Sequence, residues 1–122
     1  MIYTSYFAKI KYGRGTEISI ANSQPKGSNL PKYHKLVPPW DIVSAWKNKQ
    51  IDWKEFEKQY TERVLNKLDP KEVAEDLDGC ILCCWEKDIR YCHRSIIRRW
   101  FKSHGIECQE LDYTLYEKYW LK

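Results

Sequence analysis

The stretch from Gly79 to His104 constrains this chain more than any other. Cys80 to Trp85 is a short unbroken apolar run behind a glycine, the composition of a strand buried on both faces, as strands are in parallel sheets. Polar residues from Glu86 to Tyr91 break the run. From about Cys92 the apolar residues recur with a helical period, so that Ile96, Ile97, Trp100 and Phe101 fall on one stripe. Strand, loop and helix in that order predict a βα unit. At about 100° per residue His93 points into the stripe, whereas Arg94, Arg98 and Lys102 descend an adjoining flank and are expected to face outward.

Such a unit also predicts where a ligand binds. At the carboxyl end of a parallel strand, free backbone N–H groups and the dipole of the following helix converge. Cys84, Glu86, Cys92, His93 and Arg94 all fall at that edge. Ile2 to Ala8 mixes β-branched and aromatic residues and reads as a first strand, with Thr4, Ser5 and Tyr6 near its end.

Glu17 to Ile20 reads as a second, short strand, reached from the first by a connection too short for a crossover helix. Residues 21–39 form a long irregular segment carrying Pro25, Gly27, Pro31, Pro38 and Pro39; a loop of that length in a compact domain is usually functional or mobile. Three helices are expected next. Trp40 to Lys47 places Ile42, Val43 and Trp46 on one face behind two prolines. Asp52 with Glu55 makes a capping box for a stripe of Trp53, Phe56, Tyr60, Val64 and Leu68. Asp69, Pro70 and Glu72 start a third helix, which Gly79 stops. After the Cys92 helix, Gly105 gives another stop, Ile106 to Leu111 a last parallel strand, and Tyr113, Tyr116, Tyr119 and Trp120 an aromatic tail docked on the body. The alternation predicts a small α/β domain of three layers, a mostly parallel sheet with helices on both faces, spanning residues 1–122 as one unit.

At 122 residues the chain buries about two-thirds of its unfolded surface and needs no staples. Five cysteines are an odd number without framework spacing, three of them in the apolar run, so disulfides are not expected and a reduced setting is. With no leader-like segment and no apolar run near ~18 residues, a soluble cytoplasmic protein away from membranes is expected. The net charge of +4 is compatible with anionic ligands or nucleic acid and demands neither.

The carboxyl half resembles the domain of unknown function 488 family, found in bacteria, archaea and phages. Members carry Leu-Cys-Tyr-Glu-Lys, a short turn, and Cys-His-Arg opening a helix; here the counterparts are Leu82, Cys84-Trp85-Glu86-Lys87 and Cys92-His93-Arg94. Ile2-Tyr3-Thr4-Ser5-Tyr6-Phe7, Ile18-Ser19-Ile20, Leu36 with Pro38, and Pro70-Lys71-Glu72-Val73 are similar too, so the resemblance covers nearly the whole chain. Asp88 and Ile89 stand where members usually have Pro-Gly, Trp85 replaces Tyr, and Ser95 replaces a common second His. The resemblance implies a Rossmann-like fold and no settled reaction.

Cys92 at a helix start beside His93 and Arg94 has the setting of a lowered-pKa thiol nucleophile, against the alternative of a packed small hydrophobe. Glu86 is placed to act as a general acid or base, or structurally to accept bonds from the Cys-His-Arg backbone or pair with Arg94; His93 is a second proton carrier or a core histidine. Arg94 sits in the first turn, where a cation opposes the dipole and an anion offsets that cost, which suggests an anion clamp. Cys84, Cys92 and His93 are types that hold zinc, but no Cys-x-x-Cys pair accompanies them and no metal is expected. No particular cofactor is indicated. Cys80 and Cys83 read as core, Cys108 as a strand residue, His34 and His104 as solvent-facing. The expected function is that of an enzyme acting on a phosphate-bearing ligand, a nucleotide or nucleic-acid component, bound by Arg94, Cys84, Thr4, Ser5 and Tyr6. The alternative is a non-catalytic nucleotide or nucleic-acid binding module using the basic helix from Arg90 to Lys102.

Overall fold

A computed structural model describes residues 1–9, 16–86 and 88–111; the expected aromatic tail lies outside them. Four strands, β1 (Ile2–Tyr6), β2 (Glu17–Ser19), β3 (Ile81–Cys84) and β4 (Cys108–Glu110), form one sheet in the order β2-β3-β1-β4. Every pairing is parallel. Around the sheet lie α1 (Trp40–Lys47), α2 (Trp53–Arg63), α3 (Pro70–Leu77) and α4 (His93–Ser103). The arrangement is a small Rossmann-like α/β fold, as the alternation of elements predicts. No helix among the described residues is long and apolar enough to cross a membrane.

β3 is buried along all four residues, which is why its sequence is an apolar run rather than an alternation. Its register aligns Tyr6 with Cys84, while β1 and β4 align Thr4 with Glu110. The carboxyl ends of three strands therefore bring Tyr6, Cys84 and Glu110 to one edge, and α4 starts there.

The helix signals work locally as expected. The Asp52 carboxylate accepts from the Glu55 N–H at 2.8 Å, and that of Asp69 from the Lys71 N–H at 3.0 Å with Pro70 in the first turn. Gly79, at φ +82°, takes the left-handed turn by which the chain leaves α3 for β3. α2 ends at Arg63, earlier than its stripe, and Leu65–Lys67 tighten into a 3-10 turn that still buries Leu65.

The long segment before α1 is held by specific bonds. Ser19 and Tyr33 N–H groups reach Pro31 and Ser19 carbonyls at 2.7 and 2.9 Å, extending the β2 edge. The Gln24 side chain bonds both the N–H and the carbonyl of Leu30. Tyr60, fully buried on α2, donates its hydroxyl to the Leu36 carbonyl at 2.7 Å. That bond ties the segment to the body, because an unpaired buried carbonyl is costly.

Tyr60→Phe should therefore destabilise the protein by about 1–3 kcal/mol in urea unfolding, the cost of orphaning a buried acceptor. Tyr33→Phe makes the same change where the hydroxyl meets Asp76 in solvent, and should cost less than about 0.5 kcal/mol.

Candidate functional site

Cys84 is the last residue of β3, and Cys92 is the residue on which α4 begins. The seven-residue return between them, turned by a short 3-10 segment at Ile89–Tyr91, brings both sulfurs together with His93. The three side chains are buried, and their donor atoms lie within 4.8 Å of one another. The two sulfurs are joined as a disulfide across Cα atoms 7.4 Å apart, while Cys80, Cys83 and Cys108 are free. The expectation of no disulfide is thus corrected: sequence spacing carried no signal, since the loop rather than a motif closes the distance. Burial pushes the Cys83 and Cys108 thiols up to about 12, as suits packing residues.

His93 faces inward, as its place on the stripe predicts, edge-on to Tyr60 at 5.6 Å. Its Nε2 is 2.7 Å from the Ile20 carbonyl, and its Nδ1 is 4.0 Å from the Cys92 sulfur. A carbonyl only accepts, so Nε2 carries the proton and Nδ1 presents a lone pair toward the sulfurs. Burial holds the imidazole down at about 4, which keeps it neutral.

Arg94 departs from the expectation that it faces outward. It is completely buried. Its guanidinium meets the Glu110 carboxylate through Nε at 3.1 Å and Nη2 at 2.9 Å; Nη1 donates to the Cys84 sulfur at 3.3 Å and to the Glu86 carbonyl. The Tyr6 ring lies 5.4 Å from the guanidinium carbon. Thr4 donates to the same Glu110 carboxylate at 2.6 Å, and both Thr4 and Ser5 are buried. The periodicity permitted this: Arg94, Ile97 and Phe101 are spaced i, i+3, i+7, and all three are fully buried. Charge masked the pattern.

A cavity of about 320 Å³ opens over the sulfurs and imidazole. Cys84, Cys92 and His93 line it, with Glu86 and Trp85 on one side and Ala21, Asn22, Ser23 and Pro38 of the long segment on another. Its remaining wall is aromatic: Trp46 stands edge-on to Trp53 at 5.1 Å and stacks on Tyr91 at 5.9 Å, with Trp40 and Lys47 also lining. Of the expected ligand contacts, Cys84 reaches the cavity; Arg94, Thr4, Ser5 and Tyr6 are not among its lining residues, and Arg94, with Thr4 and Tyr6 beside it, sits behind Cys84. Sequence reasoning missed Glu110, the carboxylate that receives Arg94, and the wall of Trp46, Trp53 and Tyr91. The only signal for the wall was an aromatic content of 15%, which reads equally as core.

The basic residues of α4 and of the turn before it are partly spent. Arg99 pairs with Glu57, Arg90 with Asp88, and Arg98 donates to the Cys108 carbonyl at 3.3 Å. His34 and His104 are exposed as expected.

The neutral, buried His93 gives stability a defined pH dependence. The unfolded chain takes up its proton near the ordinary histidine value of 6.5 and the folded chain only at about 4, so between these values the unfolded state binds more protons and stability falls as pH drops. This contribution is intact above pH 6.5, and about 3 kcal/mol of it should be lost by pH 4. Unfolding free energies measured from pH 7.5 to 4 should show that loss as the difference between the protein and its His93→Gln variant; parallel pH profiles would contradict it.

No curated protein and no solved structure matches the chain. A family model described as the active DUF488-N3 subclade matches residues 2–105, from the first strand past the end of α4 and so across the whole sulfur and imidazole cluster. This chain belongs to the DUF488 family, in which its Cys92-His93-Arg94 opens the helix beneath the cavity.

Proposed function

We propose that this protein is an enzyme acting on a phosphate-bearing ligand with a planar ring, a nucleotide or nucleic-acid component, held in the aromatic cavity with its reacting part against Cys92. The observation that carries the reading is the composition of that cavity: tryptophan and tyrosine rings along one wall, and two sulfurs with a neutral imidazole at its base. Base-sized rings stack on such walls without needing a particular hydrogen-bond code. Lys47, exposed and 5.9 Å from the Trp40 ring, supplies a cation for the phosphate. In the dithiol state, which a cytoplasmic setting favours, Cys92 at the N-terminus of α4 is the nucleophile, and His93 Nδ1 and the exposed carboxylate of Glu86 carry protons. Arg94 works from behind, holding the Cys84 sulfur and the Glu86 carbonyl in place. The description of the family branch as active agrees with a catalyst. A purely nucleic-acid binding role draws less support, because carboxylates or carbonyls already engage Arg90, Arg98 and Arg99.

Tryptophan fluorescence titrations with nucleosides, nucleoside monophosphates and short oligonucleotides test the reading. Trp46→Ala should weaken nucleotide binding by about 1–3 kcal/mol, about 5- to 150-fold, and Lys47→Ala should weaken the monophosphate while sparing the nucleoside. Strongly salt-dependent binding of oligonucleotides alone, with equal losses at Arg98, Arg99 and Lys102 and none at Trp46, would replace the cavity with the basic face of α4.

A further inference from the structure

We infer that Cys84, Cys92 and His93, in the dithiol state, form a zinc site of two thiolates and one imidazole whose fourth position opens into the aromatic cavity. The Cα atoms of Cys84 and Cys92 are 7.4 Å apart, beyond the span of about 4.4–6.8 Å usual for a disulfide. That backbone spacing suits two sulfurs converging on a third body. Zinc–sulfur and zinc–nitrogen bonds of about 2.3 and 2.0 Å set tetrahedral ligand atoms about 3.5–3.8 Å apart. His93 Nδ1 is already 4.0 Å from the Cys92 sulfur, so the chief change needed on reduction is for the sulfurs to part.

The surroundings have the features of a supported metal site. A ligating imidazole characteristically donates its other N–H to a carbonyl or carboxylate, which fixes ring and tautomer; His93 has that bond, Nε2 to the Ile20 carbonyl at 2.7 Å. Thiolates also need donors, and Arg94 Nη1 reaches the Cys84 sulfur at 3.3 Å, with Glu110 balancing its charge. All three ligands are buried yet line the cavity. Three protein ligands with an open fourth position characterise zinc sites that work on a substrate, whereas structural sites close with four. With zinc bound, Cys92 and His93 Nδ1 are metal ligands and give up the nucleophile and proton-carrier roles they hold in the metal-free dithiol, while Glu86 keeps its place at the cavity as proton carrier. The inference rests on the proposed cavity for what the metal would act upon, and not on any particular nucleotide.

The test is a cobalt titration of the full chain, reduced, freed of metal and without nucleotide. One Co²⁺ per chain should bind, with a sulfur-to-cobalt charge-transfer band and the intense d–d bands of tetrahedral cobalt, and Zn²⁺ should displace it. Cys84→Ser and Cys92→Ser should each cut the charge-transfer band to about half or less while keeping native circular dichroism, the double variant should abolish it, His93→Gln should shift the d–d bands, and Cys80→Ser should change neither. Should the serine variants fail to fold, alkylation of the reduced wild-type chain decides: zinc should protect Cys84 and Cys92 but not Cys80 or Cys108. Absent cobalt bands, bands undiminished in Cys84→Ser and Cys92→Ser, or no zinc protection would overturn the site. Nucleotide titration of the same metal-free chain is read separately, so failure of the metal site and failure of the cavity reading are distinguishable.

Discussion

A completely buried guanidinium, that of Arg94, is the constraint around which the carboxyl edge of the sheet is organised. Taking an arginine out of water is tolerated only where a carboxylate and further acceptors replace the lost solvation. Arg94 finds the Glu110 carboxylate, a backbone carbonyl and a sulfur, and in doing so joins four parts of the chain: α4, β4, the end of β3 and the loop after it. Thr4 brings β1 into the same network through Glu110. The parallel register supplies the geometry, because it ends β1, β3 and β4 at one edge. α4 then delivers Arg94 from its first turn.

The consequence for chemistry is a division into two layers. Behind lies a charged, hydrogen-bonded layer of Arg94, Glu110, Thr4 and Tyr6; in front lie Cys84, Cys92 and His93, uncovered toward the cavity. The back layer fixes the Cys84 sulfur and the chain at Glu86, and the carbonyl of Ile20 fixes the His93 ring. The three cavity-lining groups are therefore held by bonds that no ligand has to supply, the condition the proposed site needs to be preorganised. The long segment between β2 and α1 contributes less chemistry than shape. It is pinned to the body at Pro31, Tyr33 and Leu36, and lends Ala21, Asn22, Ser23 and Pro38 to the cavity.

Elements governed by local rules were legible in the sequence. The apolar run of β3, the caps at Asp52 and Asp69, and the turn at Gly79 are each decided within a few residues, and each forms as read. The inward direction of His93 follows from the same period. What the sequence concealed depends on pairs distant along the chain. Arg94 lies on the buried stripe, yet its charge argues for solvent until Glu110, sixteen residues away, is known to stand beside it. Cys84 and Cys92 meet only because the loop returns, and the tryptophans of α1 and α2 become a cavity wall only when those helices pack with Tyr91.

The buried Arg94–Glu110 pair holds this edge together, and a double-mutant cycle in urea unfolding measures it directly. Arg94→Met and Glu110→Met should each cost about 3 kcal/mol, since each strands the other's charge at a largely dry edge. The double variant should cost no more than either alone, giving a coupling of about 2 kcal/mol or more. Single losses below about 0.5 kcal/mol that simply add would mean that the pair does not hold the site, and the account would be wrong.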